Sequence, residues 1–540
     1  VSPSLPTGLS IDSSTCTISG TPTVATSNTT YTVTANISNV IYQGSVWFST
    51  SYLELTPSVE GADLSVDVPM TNITFQYNAS AASGSPSAPA FAYANSKLSG
   101  DHHHNCAILE NGDLKCWGWG TTGQLGHGAS ANLNAPQSTA IDLGTGRTAV
   151  AVATGVHFSC AILDNGDLKC WGWDNEGQLG DGGSATNTNA PSSTPIDLGT
   201  GRTAVAVSAG YYHVCAVLDN GELKCWGKDN YGQLGNGPGS TSSITAPSST
   251  AIDLGTGRTA VAVSAGERHT CAILDNGDLK CWGWDYHGQL GYGNSDTDLD
   301  APSATAVDLG TGRTAVAVAA GFSTTCAILD NGELKCWGGT STWINYNGNP
   351  VSIDLGTGRT AVAVHPGNQH ICVILDNSDL KCWGNDDVGA LGNGPGDTDY
   401  NGPSSSGNTA VNLGSGRTAV AIAVGSYHAC ALLDNGDAKC WGKNTQGQIG
   451  HGGTTGTTWH AEVHSPATVS GSNTWDNTTL VISSDMTDIT GATCTVSPSL
   501  PTGLSIDSST CTISGTPTVA TSNTTYTVTA NISNVTYQGS

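Results

Sequence analysis

Positively charged residues are scarce in this chain. Its 540 residues include 17 lysines and arginines against 43 aspartates and glutamates, so the formal net charge is -26. Seven of the lysines and six of the arginines recur at fixed places in a repeat described below, which leaves only Lys97, Lys228, Arg268 and Lys443. Because no basic patch can form and the net charge repels a phosphate backbone, the chain is predicted not to bind nucleic acid.

Catalytic and membrane-spanning sequence patterns are also missing. No nucleophile elbow, phosphate-binding loop or zinc-protease motif occurs, and the recurring acidic residues sit in turns, where Asp and Asn bend the backbone. No run of 18 apolar residues is present. We therefore predict a protein that is not an enzyme and that makes no direct membrane insertion within these residues.

Cysteine, in contrast, is abundant and regularly placed. Seven times a cysteine is followed ten residues later by a second one, and successive pairs begin 46 to 58 residues apart. Each pair encloses an Asp/Glu-Asn-Gly/Ser turn and runs into Trp-Gly. The pairs are Cys106 and Cys116, Cys160 and Cys170, Cys215 and Cys225, Cys271 and Cys281, Cys326 and Cys336, Cys372 and Cys382, and Cys430 and Cys440.

The spacing within a pair predicts a disulfide across a two-stranded hairpin. In the second pair, a three-residue loop with Gly166 in the left-handed conformation places Cys160 directly opposite Cys170. Directly opposed residues have Cβ atoms about 4.5–5.5 Å apart, close to the roughly 3.5–4.5 Å of a disulfide. Since disulfides persist in oxidising compartments, an extracellular or cell-surface location is expected. Reduced buried cysteines are the alternative; zinc is disfavoured because C-x2-C spacing is absent.

Each repeat also predicts four short strands, the pattern of one β-propeller blade. In the second repeat these are residues 148–153, 160–163, 168–171 and 195–198. Alternating Ala and Val in the first of them suits an inner strand near a propeller axis. The expected fold class is all-β, with a seven-bladed β-propeller over residues 90–470 whose first inner strand is formed by residues 90–94.

The segment after each second cysteine resembles the Trp-Gly-x-Asn-x-x-Gly-Gln-Leu-Gly-x-Gly motif of the regulator-of-chromosome-condensation repeats. Residues 171–182 read Trp-Gly-Trp-Asp-Asn-Glu-Gly-Gln-Leu-Gly-Asp-Gly, and the motif recurs at Trp117, Trp226, Trp282, Trp383 and Trp441 but decays after Trp337. The resemblance implies a seven-bladed propeller. Nuclear members of that family bind chromatin and act on a small GTPase, roles that the acidity and the predicted disulfides argue against here.

The two ends of the chain carry a second repeated module. Residues 1–45 and 496–540 are identical apart from Ile41 against Thr536. They resemble the immunoglobulin-like modules of bacterial and archaeal surface proteins, whose hallmark is Leu-Pro-x-Gly-Leu followed by Ile-x-Gly-Thr-Pro. The resemblance implies β-sandwich spacers: a partial module at 1–45, a further β segment and linker at 46–89, and a module at 471–540 that is incomplete at its C-terminal end. We expect the chain to be part of a longer tandem-repeat protein.

The flanking modules also hold the remaining cysteines and all the glycosylation sequons. Cys494 is expected to pair with Cys511, which leaves Cys16 unpaired. Sequons confined to the flanks predict a glycoprotein with modified stalks around a bare head, and their chance occurrence in Thr/Ser-rich strands is the alternative. They lie at Asn28, Asn36, Asn72, Asn78, Asn477, Asn523, Asn531 and Asn534.

Strand order places two variable loops of each repeat at one end of the propeller and two tight turns at the other. The turns are nearly invariant, whereas the loops vary and are rich in aromatic residues. Variation confined to one face of a rigid scaffold is typical of a binding surface, and undirected drift of surface loops is the alternative. The candidate binding residues are Phe158, Tyr211, Tyr212, Trp284, Tyr286, Trp343, Tyr346 and Tyr427.

A histidine two residues before the first cysteine recurs in five repeats, at His104, His213, His269, His370 and His428. A structural hydrogen bond is the favoured interpretation over a metal ring, because His157 is displaced by one position and Thr324 replaces the histidine in the fifth repeat. Residues 296–300 and 397–399 alternate Asp as calcium loops do, but lack the Gly and distal Glu of an EF-hand. No cofactor is predicted, with calcium as the alternative.

These patterns favour a non-catalytic binding or adhesion module at the cell surface, whose variable loops recognise a glycan or a protein. Two other classes stay open: a passive spacer in a repetitive surface protein, and a propeller hydrolase or lyase.

Overall fold

The computed structural model describes residues 97–471, residue 475, and the backbone of eleven strands in the terminal regions. Within the first range the loop segments 184, 238–241, 294–296, 340–345, 395–397, 406 and 454–461 are outside the described part. The chain divides into two compact units, one formed by residues 87–484 and the other by residues 1–86 together with 485–540.

The N-terminal part of the second unit consists of antiparallel strand pairs. Strand β1 pairs with β2, β3 with β4 and β5 with β6. Their bounds are Leu9–Ile11, Ile18–Gly20, Thr29–Ile37, Val40–Phe48, Thr56–Pro57 and Phe75–Gln76.

Seven antiparallel sheets follow one another along the chain, and each forms one blade. The first three blades are blade 1, with β7 Leu98–Asp101, β8 His104–Ile108 and β9 Leu114–Gly118; blade 2, with β10 Ala149–Thr154, β11 Phe158–Leu163 and β12 Leu168–Gly172; and blade 3, with β13 Ala204–Ala209, β14 His213–Leu218 and β15 Leu223–Gly227. The next two are blade 4, with β16 Ala260–Ala265, β17 His269–Leu274 and β18 Leu279–Gly283, and blade 5, with β19 Ala315–Ala320, β20 Thr324–Leu329, β21 Leu334–Gly338 and β22 Val351–Ser352. The last two are blade 6, with β23 Ala361–Pro366, β24 His370–Leu375 and β25 Leu380–Gly384, and blade 7, with β26 Ala419–Val424, β27 His428–Leu433, β28 Ala438–Lys443 and β29 Glu462–Thr468.

Two pairs of C-terminal strands repeat the pairings of N-terminal strands. They are β30 Thr493–Ser497, β31 Leu504–Ile506, β32 Ile513–Gly515, β33 Thr527–Ile532 and β34 Val535–Gly539. Leu504 is paired with Gly515 in β31–β32, as Leu9 is paired with Gly20 in β1–β2. Identical sequence therefore adopts the same strand register at both ends of the chain.

The hairpin geometry predicted from the cysteine spacing is confirmed. Cys160 is paired with Cys170, the Leu163 N–H donates to the Asp167 carbonyl at 2.9 Å, and Gly166 has φ 80°. All seven pairs are bonded, with Cα–Cα distances of 4.0–4.1 Å. A closed loop of this length stabilises a hairpin by about 2.5–3 kcal/mol in the chain-entropy model.

The fourth strand predicted in each repeat is regular only in blades 5 and 7. In blade 2, where residues 195–198 were predicted, the Ile196 N–H donates to the Leu168 carbonyl at 2.9 Å. Pro195 has no N–H, and Asp197 turns its carboxylate back onto the Gly199 N–H at 2.9 Å. The prediction is therefore wrong for most blades, because one backbone hydrogen bond holds this segment beside the sheet without a ladder.

Neighbouring blades are joined at one main-chain carbonyl. The Gln124 carbonyl, in the Gly-Gln-Leu-Gly loop of blade 1, accepts the Trp171 indole N–H and the Ser159 hydroxyl of blade 2, both at 2.9 Å. His104 of blade 1 contacts that hydroxyl through Nε2 at 2.9 Å. The same arrangement recurs with Gln233, Thr270, Trp282 and His213, and with Gln289, Thr325, Trp337 and His269.

The histidines of this network are neutral. Because the Ser159 hydroxyl donates to the carbonyl, its oxygen accepts from His104 Nε2–H, and Nδ1 carries no proton and no hydrogen bond. Burial lowers the pKa of His104 to about 3. The structural interpretation is confirmed for His104, His213 and His269, whereas the buried His370 Nε2 has no hydrogen-bond partner among the described residues. Within those residues, no cluster of three or more His, Cys, Asp or Glu side chains could hold a metal ion.

The ring is closed by a residue from beyond the last blade. Trp475 forms an isolated β-bridge with Leu109 of blade 1, and its backbone N–H donates to the Gly436 carbonyl of blade 7 at 2.9 Å. Ala149 makes the equivalent contacts at the start of the inner strand of blade 2. The rest of the inner strand of blade 1 is β7, so the prediction that residues 90–94 form it is wrong; those residues themselves lie outside the described part.

Trp475 is 1% exposed and its ring centroid lies 5.6 Å from that of Trp117. We expect Trp475→Ala to lower the free energy of unfolding by about 3–5 kcal/mol, because it leaves a cavity in the seam between the first and last blades. Urea unfolding of the full chain measures this. Tyr286→Ala, at a 64% exposed ring, is the control and should change stability by less than about 0.5 kcal/mol. Equal stability of the two variants would show that the seam does not depend on Trp475.

The buried histidines make the propeller sensitive to acid. Burial lowers their pKa in the folded state below the unfolded value of 6.5, and the pKa of His269 is lowered to about 3. Between these two values the unfolded state binds more protons than the folded state, so the stability falls as the pH drops from about 6.5 towards 3. Burial raises the pKa of Asp101 and Glu267 to about 7, which opposes this trend.

His269→Thr, the residue that blade 5 carries at this position, isolates the histidine contribution. Urea unfolding between pH 7 and 4 should show a stability slope shallower by up to about 1.4 kcal/mol per pH unit in the variant. Parallel slopes in the two proteins would contradict a neutral buried His269.

Candidate binding surface

In each of blades 2 to 7 a three-residue loop joins the first two strands, and all six of these loops begin with glycine. A Cβ atom on Gly210 would overlap the Gly266 carbonyl of the next blade. Glycine is therefore required where the blades converge on the axis. In blades 3 to 7 the next residue of the loop lines the mouth of the central cavity, and blade 1 contributes Asp101 and His102 there.

Aromatic side chains from blades 1 to 3 form a continuous row on this face, which we call the aromatic arc. Each ring meets the next, with centroid distances of 5.8, 4.5, 6.0, 4.7 and 4.5 Å along the row. In order, the arc consists of His103, Trp119, His157, Trp173, Tyr212 and Tyr211.

A second aromatic group lies on the loops of blades 3 and 4. Trp284 is stacked with Tyr286, with an interplanar angle of 7° and centroids 6.0 Å apart, and contacts Tyr231 at 5.9 Å and His287 at 5.0 Å. The Arg268 guanidinium lies over the rings of Tyr231 and Trp284, at 5.1 and 5.0 Å. We call these residues the tryptophan stack.

Three of the four cations outside the repeat lie on aromatic rings of this face. Besides Arg268, Lys228 lies 5.1 Å from the Tyr212 ring centroid, and Lys443 lies 5.1 Å from that of Tyr427. Lys228 also pairs with Glu176 at 3.0 Å. Such contacts hold both partners in place, so these loops present preformed aromatic and charged groups.

A small pocket separates the aromatic arc from the tryptophan stack. Its volume is about 100 Å³. Tyrosine rings form its walls, and charged groups of both signs converge on it, so it can stack an apolar or sugar ring while hydrogen bonding its substituents. The lining residues that carry this chemistry are Tyr211, Tyr212, Tyr231, Lys228, Glu267 and Arg268.

The opposite face carries no such variation. In six blades the arginine of the Gly-Arg turn pairs with the aspartate of the hairpin turn at 3.2–3.5 Å, as Arg147 does with Asp164. The same ion pair therefore repeats around six blades of this face.

Four of the eight residues predicted to bind lie together on the variable face: Tyr211 and Tyr212 in the arc, Trp284 and Tyr286 in the stack. Tyr427 is half-buried beneath Lys443, and its hydroxyl lies 3.4 Å from Asn368 Nδ2. Trp343 lies outside the described residues.

The prediction that Phe158 and Tyr346 belong to the binding surface is wrong. Phe158 is 0% exposed because it occupies, in blade 2, the buried position that histidine holds elsewhere, so it is not a surface residue. The Tyr346 hydroxyl accepts the Trp383 indole N–H at 2.8 Å and burial raises the pKa of Tyr346. It replaces the glutamine carbonyl in the blade that lacks Gly-Gln-Leu-Gly, and so it joins blades instead of forming the exposed surface.

Several residues of the surface were absent from the predicted set, among them Asp101, Tyr231 and the cations Lys228 and Arg268. A signal for them exists in the sequence, since each of these charged residues departs from the repeat. Nothing in a single loop shows that the rings of successive blades touch, because that contact arises only when the ring closes.

Two kinds of module match known families. The "Regulator of chromosome condensation (RCC1) repeat" family matches residues 111–162, 165–217 and 220–273, and a second description of the same repeat matches 149–178, 204–233, 260–289, 315–342 and 419–448. The family described as "Putative Ig domain" matches residues 1–52 and 455–539. Both resemblances inferred from the motifs are confirmed.

Curated relatives share the repeat over part of their length. The Ultraviolet-B receptor UVR8 of Arabidopsis thaliana is 32% identical over 252 residues, 46% of this chain and 53% of the receptor. The mitochondrial RCC1 domain-containing protein RUG3 of the same plant is 30% identical over 240 residues, 44% of this chain and 52% of that protein. The chain thus spans about half the length of these relatives.

Solved structures show the same fold. Human WBSCR16 has a TM-score of 0.55 at 21% identity and covers 66% of this chain and 93% of its own. Prp20p from Saccharomyces cerevisiae has a TM-score of 0.56 at 19% identity, with 70% and 88% covered. No helix in the described part of the chain is both long and apolar enough to cross a membrane.

Proposed function

The chain combines a propeller of regulator-of-chromosome-condensation repeats with immunoglobulin-like modules at both ends, and we propose that it is a non-catalytic binding module of the cell surface. Its variable loops recognise a protein, with a glycan as the second candidate. The observation that carries this proposal is the aromatic surface, which extends over four adjacent blades on one face while the other face repeats the same ion pair.

The composition of the surface supports a role in recognition. Tyr, Trp and Arg dominate binding energy at protein interfaces, because they bury large areas and add directed polar contacts. Here Tyr212, Trp173 and Trp284 are half-buried and already held by neighbouring rings or by cations. Side chains held in this way lose little rotamer freedom on binding, so more of the contact energy remains as affinity.

The relatives support a protein partner. One solved structure describes the binding properties of Prp20p to Gsp1p and histones, and another shows Kap60 bound to yeast RCC1. A glycan stays a candidate because the pocket lined by Tyr211, Tyr212 and Tyr231 offers ring faces beside charged hydrogen-bonding groups.

The hairpin disulfides support an extracellular location. They involve fourteen of the 17 cysteines, which leaves Cys16, Cys494 and Cys511, whose side chains lie outside the described part. Seven cross-linked hairpins are expected in an oxidising compartment and not in a reducing cytosol.

We expect alkylation under denaturing conditions, without reductant, to label one thiol of the natively produced protein, Cys16, because Cys494 and Cys511 are predicted to pair. Peptide mass spectrometry identifies the labelled cysteines. Labelling of most hairpin cysteines in material from the native compartment would contradict the extracellular proposal.

Binding is tested by removing three rings from the variable face. The full chain is screened against glycan arrays and cell-surface proteins, and each binder is measured again with the triple variant Trp173→Ala, Tyr212→Ala, Trp284→Ala. We expect a loss of about 2 kcal/mol or more for each ring that is a hot spot, seen as a higher Kd by surface plasmon resonance.

The matched control removes three side chains from the opposite face, in Arg147→Ala, Arg258→Ala, Arg359→Ala. It should keep the affinity for the binder, because exposed ion pairs of this kind contribute little to stability. Equal losses in the two triple variants, or no binder in either screen, would favour a passive spacer.

A further inference from the structure

Blade 1 departs from the repeat at the mouth of the central cavity. Where the inner strand meets its loop, the other six blades have glycine, but blade 1 has Asp101, the last residue of β7. Asp101 lines the central cavity, whose volume is about 110 Å³. A carboxylate therefore stands in the mouth where the repeat needs no side chain. The six glycines are Gly155, Gly210, Gly266, Gly321, Gly367 and Gly425.

Glu267, from blade 4, brings a second carboxylate to the same cavity. Its side chain is 3% exposed, and Oε1 pairs with Arg268 at 3.0 Å. Oε2 has no hydrogen-bond partner in the described part of the protein. A buried carboxylate oxygen without a partner is costly, and a bound donor would remove that cost.

The two carboxyl groups act on each other electrostatically. The pKa of both Asp101 and Glu267 is raised to about 7, chiefly by burial, and the charge of Glu267 contributes to the shift at Asp101. The neighbouring His102 does not supply the missing positive charge, since burial lowers its pKa to about 4 and its Nδ1 contacts the Ser426 hydroxyl. Of the two acids, Glu267 is the one that forms an ion pair with Arg268 in the described part of the protein.

Aromatic rings stand beside these acids at the mouth. The Tyr211 and Phe322 rings line the same cavity with centroids 6.4 Å apart, and Tyr211 lies 5.7 Å from the His102 ring. Ring faces together with carboxylates form the usual surroundings of an organic ammonium group. A divalent metal ion is a poorer fit, because Ca²⁺ takes six to eight oxygen ligands and the described residues hold no ligating cluster of three.

We propose that the channel mouth binds a primary ammonium group between Asp101 and Glu267, and that the natural source of this group is a lysine side chain of the partner. The ammonium donates to Glu267 Oε2 and to the Asp101 carboxylate, while the rings of Tyr211 and Phe322 contact its methylene groups. The identity of the source rests on the proposed function; the ammonium site itself does not.

Calorimetry of the full chain at pH 8, above the pKa of about 7 of both acids, tests the site with Nα-acetyl-lysine methylamide. The neutral probe of similar shape is Nα-acetyl-norleucine methylamide. We expect the lysine probe to bind and the norleucine probe not to. Asp101→Gly should weaken binding of the lysine probe at least tenfold, and the variant should fold because it restores the residue of the other six blades.

Glu110→Gln is the matched control, since it removes one negative charge from an exposed side chain of the blade 1 hairpin turn. It should bind the lysine probe as the unmodified chain does. Equal affinities in Asp101→Gly and Glu110→Gln, equal binding of the two probes, or Asp101-dependent binding of CaCl₂ without binding of the lysine probe would each overturn the proposal.

The same variants separate this inference from the proposed function. If the lysine probe binds in an Asp101-dependent manner but the screens yield no partner, the ammonium site stands and the proposed function fails. If a partner depends on the aromatic rings but the lysine probe does not bind, the ammonium site fails alone.

Discussion

The propeller depends on a single buried acceptor at each junction between blades. Where the Gly-Gln-Leu-Gly loop is present, its glutamine carbonyl usually receives the indole N–H of the next blade, as Gln124 receives Trp171. An indole nitrogen buried without an acceptor would cost about 1–3 kcal/mol, so each junction must supply an oxygen at this point. Blade 5 lacks the loop and supplies the Tyr346 hydroxyl, and blade 6 supplies the Ala390 carbonyl. The motif varies, but the acceptor is retained.

This junction also explains which substitutions occur together. Ser159, Thr270 and Thr325 each lie between a histidine of the preceding blade and a carbonyl, so hydroxyl and imidazole are present as a pair. Blade 2 has Phe158 at the histidine position, and the following blade has Val214, so both partners are apolar. Blade 6 is the exception, because the residue in the following blade is Ala429 and the buried His370 Nε2 has no hydrogen-bond partner in the described part of the protein. Because these contacts lie between the strands, the loops above them can change without disturbing the ring.

Local repetition made the blades predictable, and the junctions between distant residues were not. The hairpin disulfides, the seven blades and the two unlike faces follow from spacing within a few tens of residues. Closure by Trp475 joins positions more than three hundred residues apart and places a tryptophan where the other blades carry alanine, so no periodicity indicates it. Burial of Phe158 and Tyr346 likewise depends on the neighbouring blade. An aromatic residue in a variable loop looks the same in sequence whether it points to solvent or fills a seam.

In a repeat protein, the residues that depart from the repeat carry the information that the scaffold does not require. Thirteen of the 17 cations recur at scaffold positions, and of the four others Lys228, Arg268 and Lys443 lie on rings of the variable face. Asp101 is a departure of the same kind, at a position where the other blades need a glycine to let neighbours approach. A carboxylate at the axis, with no cation of its own, destabilises the free protein unless a ligand compensates it. Such a residue is therefore better explained by what the cavity binds than by what the fold needs.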